Sequence, residues 1–221
     1  MMIASNLNKF KKELPERVVL VAVSKTKPVE DLQKAFDAGQ RIFGENKVQE
    51  MFAKWEVLPK EIEWHFIGHL QRNKVKYLAP FVSLIHGVES FRLLKEINKQ
   101  ALKSNRIIDV LLQFYIADEE TKFGLSVEEA DVLLSSEEYK MLNNIAIRGV
   151  MGMATFTKNQ EKIKGEFQKL KKIHEGLKEN HFSARENFDI ISMGMSGDYK
   201  TAIDEGSTMI RIGSSIFGER N

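Results

Sequence analysis

The stretch Val18-Val19-Leu20-Val21-Ala22-Val23-Ser24-Lys25 is apolar at six consecutive positions before it turns polar. A run without alternation reads as a strand buried on both faces, and such strands belong to parallel sheets covered by helices. Along it, Val19, Val21, Val23 and Lys25 share one face by the two-residue period. A lysine that ends a buried row places an amine at the C-terminal end of the strand. In partly apolar surroundings an amine loses its charge more readily and becomes a nucleophile toward carbonyl groups. The plainer reading is a side chain that snorkels to water.

Outward from this strand, strand-like and helix-like segments alternate along the whole chain. Residues 4–13 read as a short amphipathic helix. Further strands are expected at 41–44, 63–67, 82–86, 107–115, 145–151, 188–193 and 208–212. Helices are expected at 28–38, 47–55, 72–78, 90–104, 126–135, 158–180 and 198–205, with a short one from Ser214. Pro28 suits a first helical position and Gly39 a helix stop. Strands alternating with helices pair in parallel, and eight such units closing on themselves form a (β/α)8 TIM barrel of the α/β class. A doubly wound open sheet is the alternative. No Pro/Gly/Ser-rich linker divides the 221 residues, and nine residues follow Ile212, so residues 1–221 are expected to form one domain.

Composition narrows the function classes. Hydrophobic residues make up 43% and charged residues 29% of the chain, and the formal net charge is +2. This ordinary balance gives no basis for a nucleic-acid partner. The absence of cysteine removes disulfides, thiolate metal sites and cysteine nucleophiles, and it fits a reducing compartment. No apolar run approaches the roughly 20 residues of a membrane span, and residues 1–12 lack the pattern of a secretory leader. A cytoplasmic location without membrane attachment is the expectation. His65 and His69 lie four apart, but on a strand and turn rather than a helix, so no metal site is expected. No Walker loop, GxGxxG after a strand, HExxH or nucleophile elbow is present.

In a barrel the chemistry gathers where the strands end. Those ends are polar: Ser24 to Lys27, Gly44 to Asn46, Gly68 to Gln71, Glu89 and Ser90, Gln113 and Tyr115, and Gly152, Met153 and Thr155. The last two strands carry the strongest local motifs, Ser192-Met193-Gly194-Met195-Ser196-Gly197-Asp198 and Arg211-Ile212-Gly213-Ser214-Ser215. Glycines let backbone approach an anion, helix N-termini direct N–H groups at it, and serine hydroxyls add donors. Loops after strands seven and eight are the usual phosphate site of a barrel. The competing reading is that Ser196 and Ser214 cap their helices. Met193 and Met195 are then core filler, or else a soft wall against a ring. If Arg211 points into the barrel, its guanidinium needs an acceptor: a ligand ring nitrogen or a neighbouring carboxylate. A lysine at one strand end and a phosphate nest across the barrel mouth together suggest a Schiff base with a phosphorylated carbonyl compound. An aldolase-like enzyme acting on a sugar phosphate and a holder of pyridoxal 5′-phosphate (PLP) both fit that pattern.

Five blocks resemble the pyridoxal phosphate homeostasis protein family. They are Ala22-Val23-Ser24-Lys25-Thr26-Lys27-Pro28, residues 43–50 (FGENKVQE), residues 64–74 (WHFIGHLQRNK), residues 192–199 (SMGMSGDY) and residues 211–218 (RIGSSIFG). They occur in order and span residues 22 to 218, far more specific together than singly. The stretch 116–124 matches loosely, and 149–154 is a variant. The resemblance implies a single barrel like the N-terminal domain of alanine racemase, with Lys25 carrying PLP as a Schiff base. It implies phosphate contacts from Ser196, Gly213 and Ser214, Arg211 near the pyridine nitrogen, and Asn46 close to the cofactor. Ser192 and Met193 of the fourth block count among the cofactor-binding residues. Lys27 matches a second lysine near the site. An arginine at the ring nitrogen disfavours its protonation and weakens the ring as an electron sink. A two-base racemase also needs an acid–base group on the opposite face, for which Tyr115 and Tyr199 are the candidates here. The reading that follows is a monomer that binds, buffers and delivers PLP to PLP-dependent apo-enzymes without efficient catalysis. A weak amino-acid racemase is the alternative.

Overall fold

The computed structural model describes residues 2–117, 124–184 and 186–219. Eight strands form a closed, all-parallel barrel in chain order: β1 Val19–Val23, β2 Ile42–Glu45, β3 Glu63–Phe66, β4 Leu84–Val88, β5 Ile108–Gln113, β6 Ile145–Met151, β7 Ile190–Ser192 and β8 Met209–Ile212. The helices are α1 Met2–Glu13, α2 Val29–Asp37, α3 Val48–Val57, α4 Val75–Leu78, α5 Phe91–Lys103, α6 Val127–Ser135, α7 Glu137–Lys140, α8 Gln160–His181, α9 Tyr199–Asp204 and α10 Ser214–Phe217. The open-sheet alternative falls because β8 pairs with β1, with Val21 opposite Arg211 and Ala22 opposite Ile212.

Two apolar layers follow from the two faces of each strand. Inside the barrel, Val21, Leu84, Leu111, Met151 and Met209 pack on one another, flanked by Ile42 and Ile190. Outside, residues such as Ala22, Phe43, Trp64, Phe66 and Ile85 meet the apolar stripes of the helices. Fully burying a Val, Leu, Ile, Phe or Met side chain contributes about 1.5–3 kcal/mol. The interior floor is thus apolar, while polar side chains occupy the layer toward the strands' C-terminal ends: His65, His86, Gln113, Ser192 and Arg211 are all buried.

Two boundaries differ from the sequence reading in ways that matter. Strand four is expected at 82–86 but forms at Leu84–Val88, which turns His86 from a strand-end residue into an interior one. Pro28 caps α2 rather than starting it, because its ψ of 157° is extended. The expected loose block at 116–124 includes residues 118–123, which lie outside the described residues. Among the described residues, no helix is long and apolar enough to cross a membrane.

Candidate functional site

A cavity of about 680 Å³ opens at the C-terminal ends of the strands. Its size suits a small organic ligand. Lys25, Asn46, Ser196, Arg211, Gly213 and Ser214 all line it, as do Lys27, His69, Glu89 and Gln113. Asn46 Oδ1 is buried and has no partner among the described residues. Buried carboxamide oxygens are normally satisfied, and this one lies at the cavity wall.

Lys25 sits in a tight turn leaving β1. The Lys27 N–H donates to the Ser24 carbonyl at 3.0 Å, and Thr26 has φ 66°. A positive φ at the third residue is the geometry of a type II turn and favours glycine. A β-branched residue there holds strain of roughly 1–3 kcal/mol. The turn is tied from outside the barrel by α3. Lys54 Nζ donates to the Ser24 carbonyl at 2.9 Å, to Glu45 Oε1 at 2.8 Å and to Glu50 Oε1 at 2.8 Å. The Ser24 hydroxyl donates to Glu45 Oε1 at 2.6 Å, and the Thr26 N–H donates to Glu50 Oε1 at 2.6 Å. Burial raises the Glu45 carboxyl above its usual range despite Lys54 and Ser24. Burial also pushes Glu50 upward, but the bonds from Lys54 and the Thr26 N–H outweigh it and leave its carboxyl below the usual range.

The loops after β7 and β8 build the side of the cavity that carries Ser196, Gly213 and Ser214. Gly194 has φ +97°, and a Cβ there would lie 2.6 Å from Ala202 Cβ, so only glycine lets this turn fold onto α9. Its turn presents Met195 and Ser196 to the cavity. Neither serine caps a helix: the N-cap of α9 is Asp198 and that of α10 is Gly213, and neither position makes a side-chain cap bond. The Ser196 hydroxyl instead accepts from the Gly213 N–H at 3.4 Å, joining the two loops. The first N–H groups of α10 have no intrahelical acceptor. Asp198 also lines the cavity, with Oδ1 accepting from the Met195 N–H at 2.6 Å. The expectation that this cradle faces Lys25 across the mouth is corrected. Barrel closure sets β8 beside β1, and a Cβ on Gly213 would meet the Val23 carbonyl at 3.3 Å.

Arg211 does point into the barrel, and its acceptors are not carboxylates. It donates to Ser192 Oγ at 2.6 Å and to the Gly152 carbonyl at 3.1 Å. Burial lowers its pKa to about 10, with Asp198 opposing. Beneath it, Ser192 Oγ lies 3.0 Å from His86 Nδ1, and His86 Nε2 lies 3.0 Å from His65 Nδ1. Because Arg211 can only donate, Ser192 Oγ accepts from it and keeps a lone pair and a proton to share with His86 Nδ1. One proton is shared between His86 Nε2 and His65 Nδ1. Burial holds both rings neutral: His65 is lowered to about 3, and His86 falls well below its usual value, helped by His65 and Arg211.

This wire has a pH consequence. A histidine whose pKa is depressed in the fold contributes stability that is complete above about 6.5 and is lost as pH falls toward the folded value. For His65 the window runs from 6.5 down to about 3. Within it, each ring held neutral costs about 1.4 kcal/mol of stability per pH unit. Glu45, raised by burial, acts in the opposite sense. The thermal midpoint is therefore expected to fall from pH 6.5 to pH 5, and His65→Gln should flatten that slope. Equal slopes in both proteins would contradict the assignment.

Six of the eight residues singled out from sequence meet at one cavity. Ser192 and Met193 do not line it. Ser192 is fully buried under Arg211, and Met193 packs in the outer core, because their neighbour Gly194 begins the turn one residue later. Tyr199 packs edge-on against Phe10, and the Lys169 ammonium lies over Tyr115; neither ring lines the cavity. The sequence reading missed His86 and Lys54. A charged residue on the buried stripe of α3, beside Val48 and Met51, was the available signal for Lys54. Among the described residues, no group of acidic or histidine side chains could hold a metal ion.

A lysine, an inward arginine and the serine-bearing loops after β7 and β8 thus meet at the mouth of one closed barrel. Residues 2–221 match the family described as alanine racemase, N-terminal domain. Alanine racemase from Clostridium difficile shares the fold, with a TM-score of 0.77 at 17% identity over 99% of this chain and 56% of that one. The chain belongs, more narrowly, to the pyridoxal phosphate homeostasis protein family. The member from Aquifex aeolicus is 40% identical over 203 residues, covering 91% of this chain and 86% of its own. The Escherichia coli member is 36% identical over 211 residues, covering 94% and 88%. PipY of Synechococcus elongatus, solved with PLP bound, superimposes with a TM-score of 0.87 at 31% identity, covering 98% of this chain and 100% of that one.

Proposed function

We propose that this chain binds PLP in the cavity as a Schiff base on Lys25 and buffers or delivers it within the cell, without efficient turnover. The observation that carries the reading is the convergence on one cavity of an amine at the end of β1 and a donor cradle at the start of α10. The residues fit the group. Ser196, Ser214 and the α10 N-terminus supply neutral donors suited to a phosphate. Arg211 supplies a fixed donor suited to an unprotonated ring nitrogen, and Asn46 carries an orphaned oxygen at the cavity wall. When bound, PLP supplies an electrophilic aldehyde and an electron-accepting ring.

Against efficient racemisation stands the placement of the two tyrosines. Tyr199 is committed to Phe10, Tyr115 lies under Lys169, and neither reaches the cavity. Arg211, with its pKa at about 10, stays a donor, so it offers no proton acceptor that would favour a pyridinium. The carrier acts as a monomer in the cytoplasm and hands PLP to apo-enzymes through the open mouth, where Met153 and Met195 are partly exposed.

The test is a titration of purified protein with PLP, followed by visible absorbance, borohydride reduction and peptide mapping. A reduced pyridoxyl group on the Lys25 peptide is the expected result. No adduct, or an adduct elsewhere, would remove the reading. Incubation of the loaded protein with L-amino acids should give negligible α-proton exchange, and rapid exchange would turn the carrier into a racemase.

A further inference from the structure

We propose that Glu50 and Lys54, which lie outside the cavity, are positioning residues that hold the Lys25 turn in its reactive geometry. The inference rests on the reading that Lys25 condenses with the PLP aldehyde. In that condensation one N=C bond forms, one water leaves and no electrons are transferred.

Lys25 is flanked by two residues that are both tied to one cluster on α3 and the end of β2. On one side, the Ser24 carbonyl accepts from Lys54 and the Ser24 hydroxyl donates to Glu45. On the other, the N–H of exposed, left-handed Thr26 donates to Glu50. Lys54 and Glu45 are 5% and 0% exposed, so this is a built-in network rather than a surface pair. Packing alone needs none of it, and a buried ion cluster is weak evidence for stability. What it does geometrically is fix the two peptide units that aim the Lys25 side chain. Neither Glu50 nor Lys54 lines the cavity, so each acts through the turn.

The test uses Glu50→Ala, which leaves Lys54 and Glu45 as a one-to-one pair, and Glu50→Gln, which keeps an acceptor for the Thr26 N–H. Lys54→Met is less informative because it strands two carboxylates. Two probes separate positioning from general damage. PLP can condense with Lys25. Pyridoxamine 5′-phosphate carries an amine in place of the aldehyde and can only dock. The expected result for Glu50→Ala is an appearance of the visible band slowed at least about tenfold, the factor given by 1.4 kcal/mol. The Kd for pyridoxamine 5′-phosphate should stay within about twofold, and Glu50→Gln should recover most of the rate. An unchanged rate would overturn the proposal, and so would an equal loss for both probes. In the unmodified protein the Thr26 amide must exchange slowly with solvent despite the residue's exposure; fast exchange overturns the clamp whatever the variants do. A wild-type protein that forms no Lys25 adduct would instead remove the underlying reading.

Discussion

The Lys25→Ala protein is expected to fold as the wild type does, to dock PLP, and to form no covalent bond with it. The effect is total because the amine is a reactant and not a contact. Alanine at this position keeps the backbone, so the ties from Ser24 to Lys54 and from Thr26 to Glu50 survive. Partly exposed positions of this kind change stability by about 0.5 kcal/mol when truncated. The thermal midpoint should therefore move by no more than a degree or two. Absorbance of the PLP-saturated variant should lack the imine band, and mass spectrometry after borohydride should find the peptide of residue 25 unmodified. A surviving band would move the anchor, with Lys27 the first alternative, since it lines the same cavity and its ammonium donates to the Glu219 carbonyl at 2.8 Å.

Ser214→Asp carries the second large effect. The first turn of a helix favours an acidic side chain, so the change should leave α10 and the fold intact. What it alters is the cradle, where a carboxylate would stand against a dianionic phosphate. Two like charges about 4 Å apart at an effective dielectric of about 20 repel by roughly 4 kcal/mol. Even half of that would weaken binding more than tenfold. The PLP Kd should therefore rise by one to three orders of magnitude, read by titration of the visible band. Pyridoxal, which lacks the phosphate, is the control, and its weak condensation with Lys25 should change little. Equal losses for both aldehydes would mean that the phosphate does not sit at the α10 N-terminus.

These expectations trace to features of unequal legibility. The barrel was readable because its signal is repeated. Eight apolar runs, each followed by an amphipathic segment, leave few architectures open, and small errors at strand ends do not change the count. The error at strand four did matter locally. A shift of two residues carried His86 from the rim to the interior, and with it the wire from Arg211 to His65 went unseen. Serine roles were likewise undecided from sequence. Capping and anion binding use the same residue types at the same helix ends, and only the placement of Asp198 and Gly213 as the N-caps removes the capping role.

By itself, the sequence determined the strand–helix alternation, the polar character of the strand ends and the five blocks that place the chain in its family, because these depend on local order alone. Tertiary structure decided what stands next to what. Closure of the barrel brought β8 against β1, so the cradle lies beside Lys25 rather than opposite it, and α3 carried Lys54 and Glu50 onto the turn that holds Lys25. Contacts between residues 20 to 190 positions apart are set by the packing of the whole ring, and no window along the chain contains both partners.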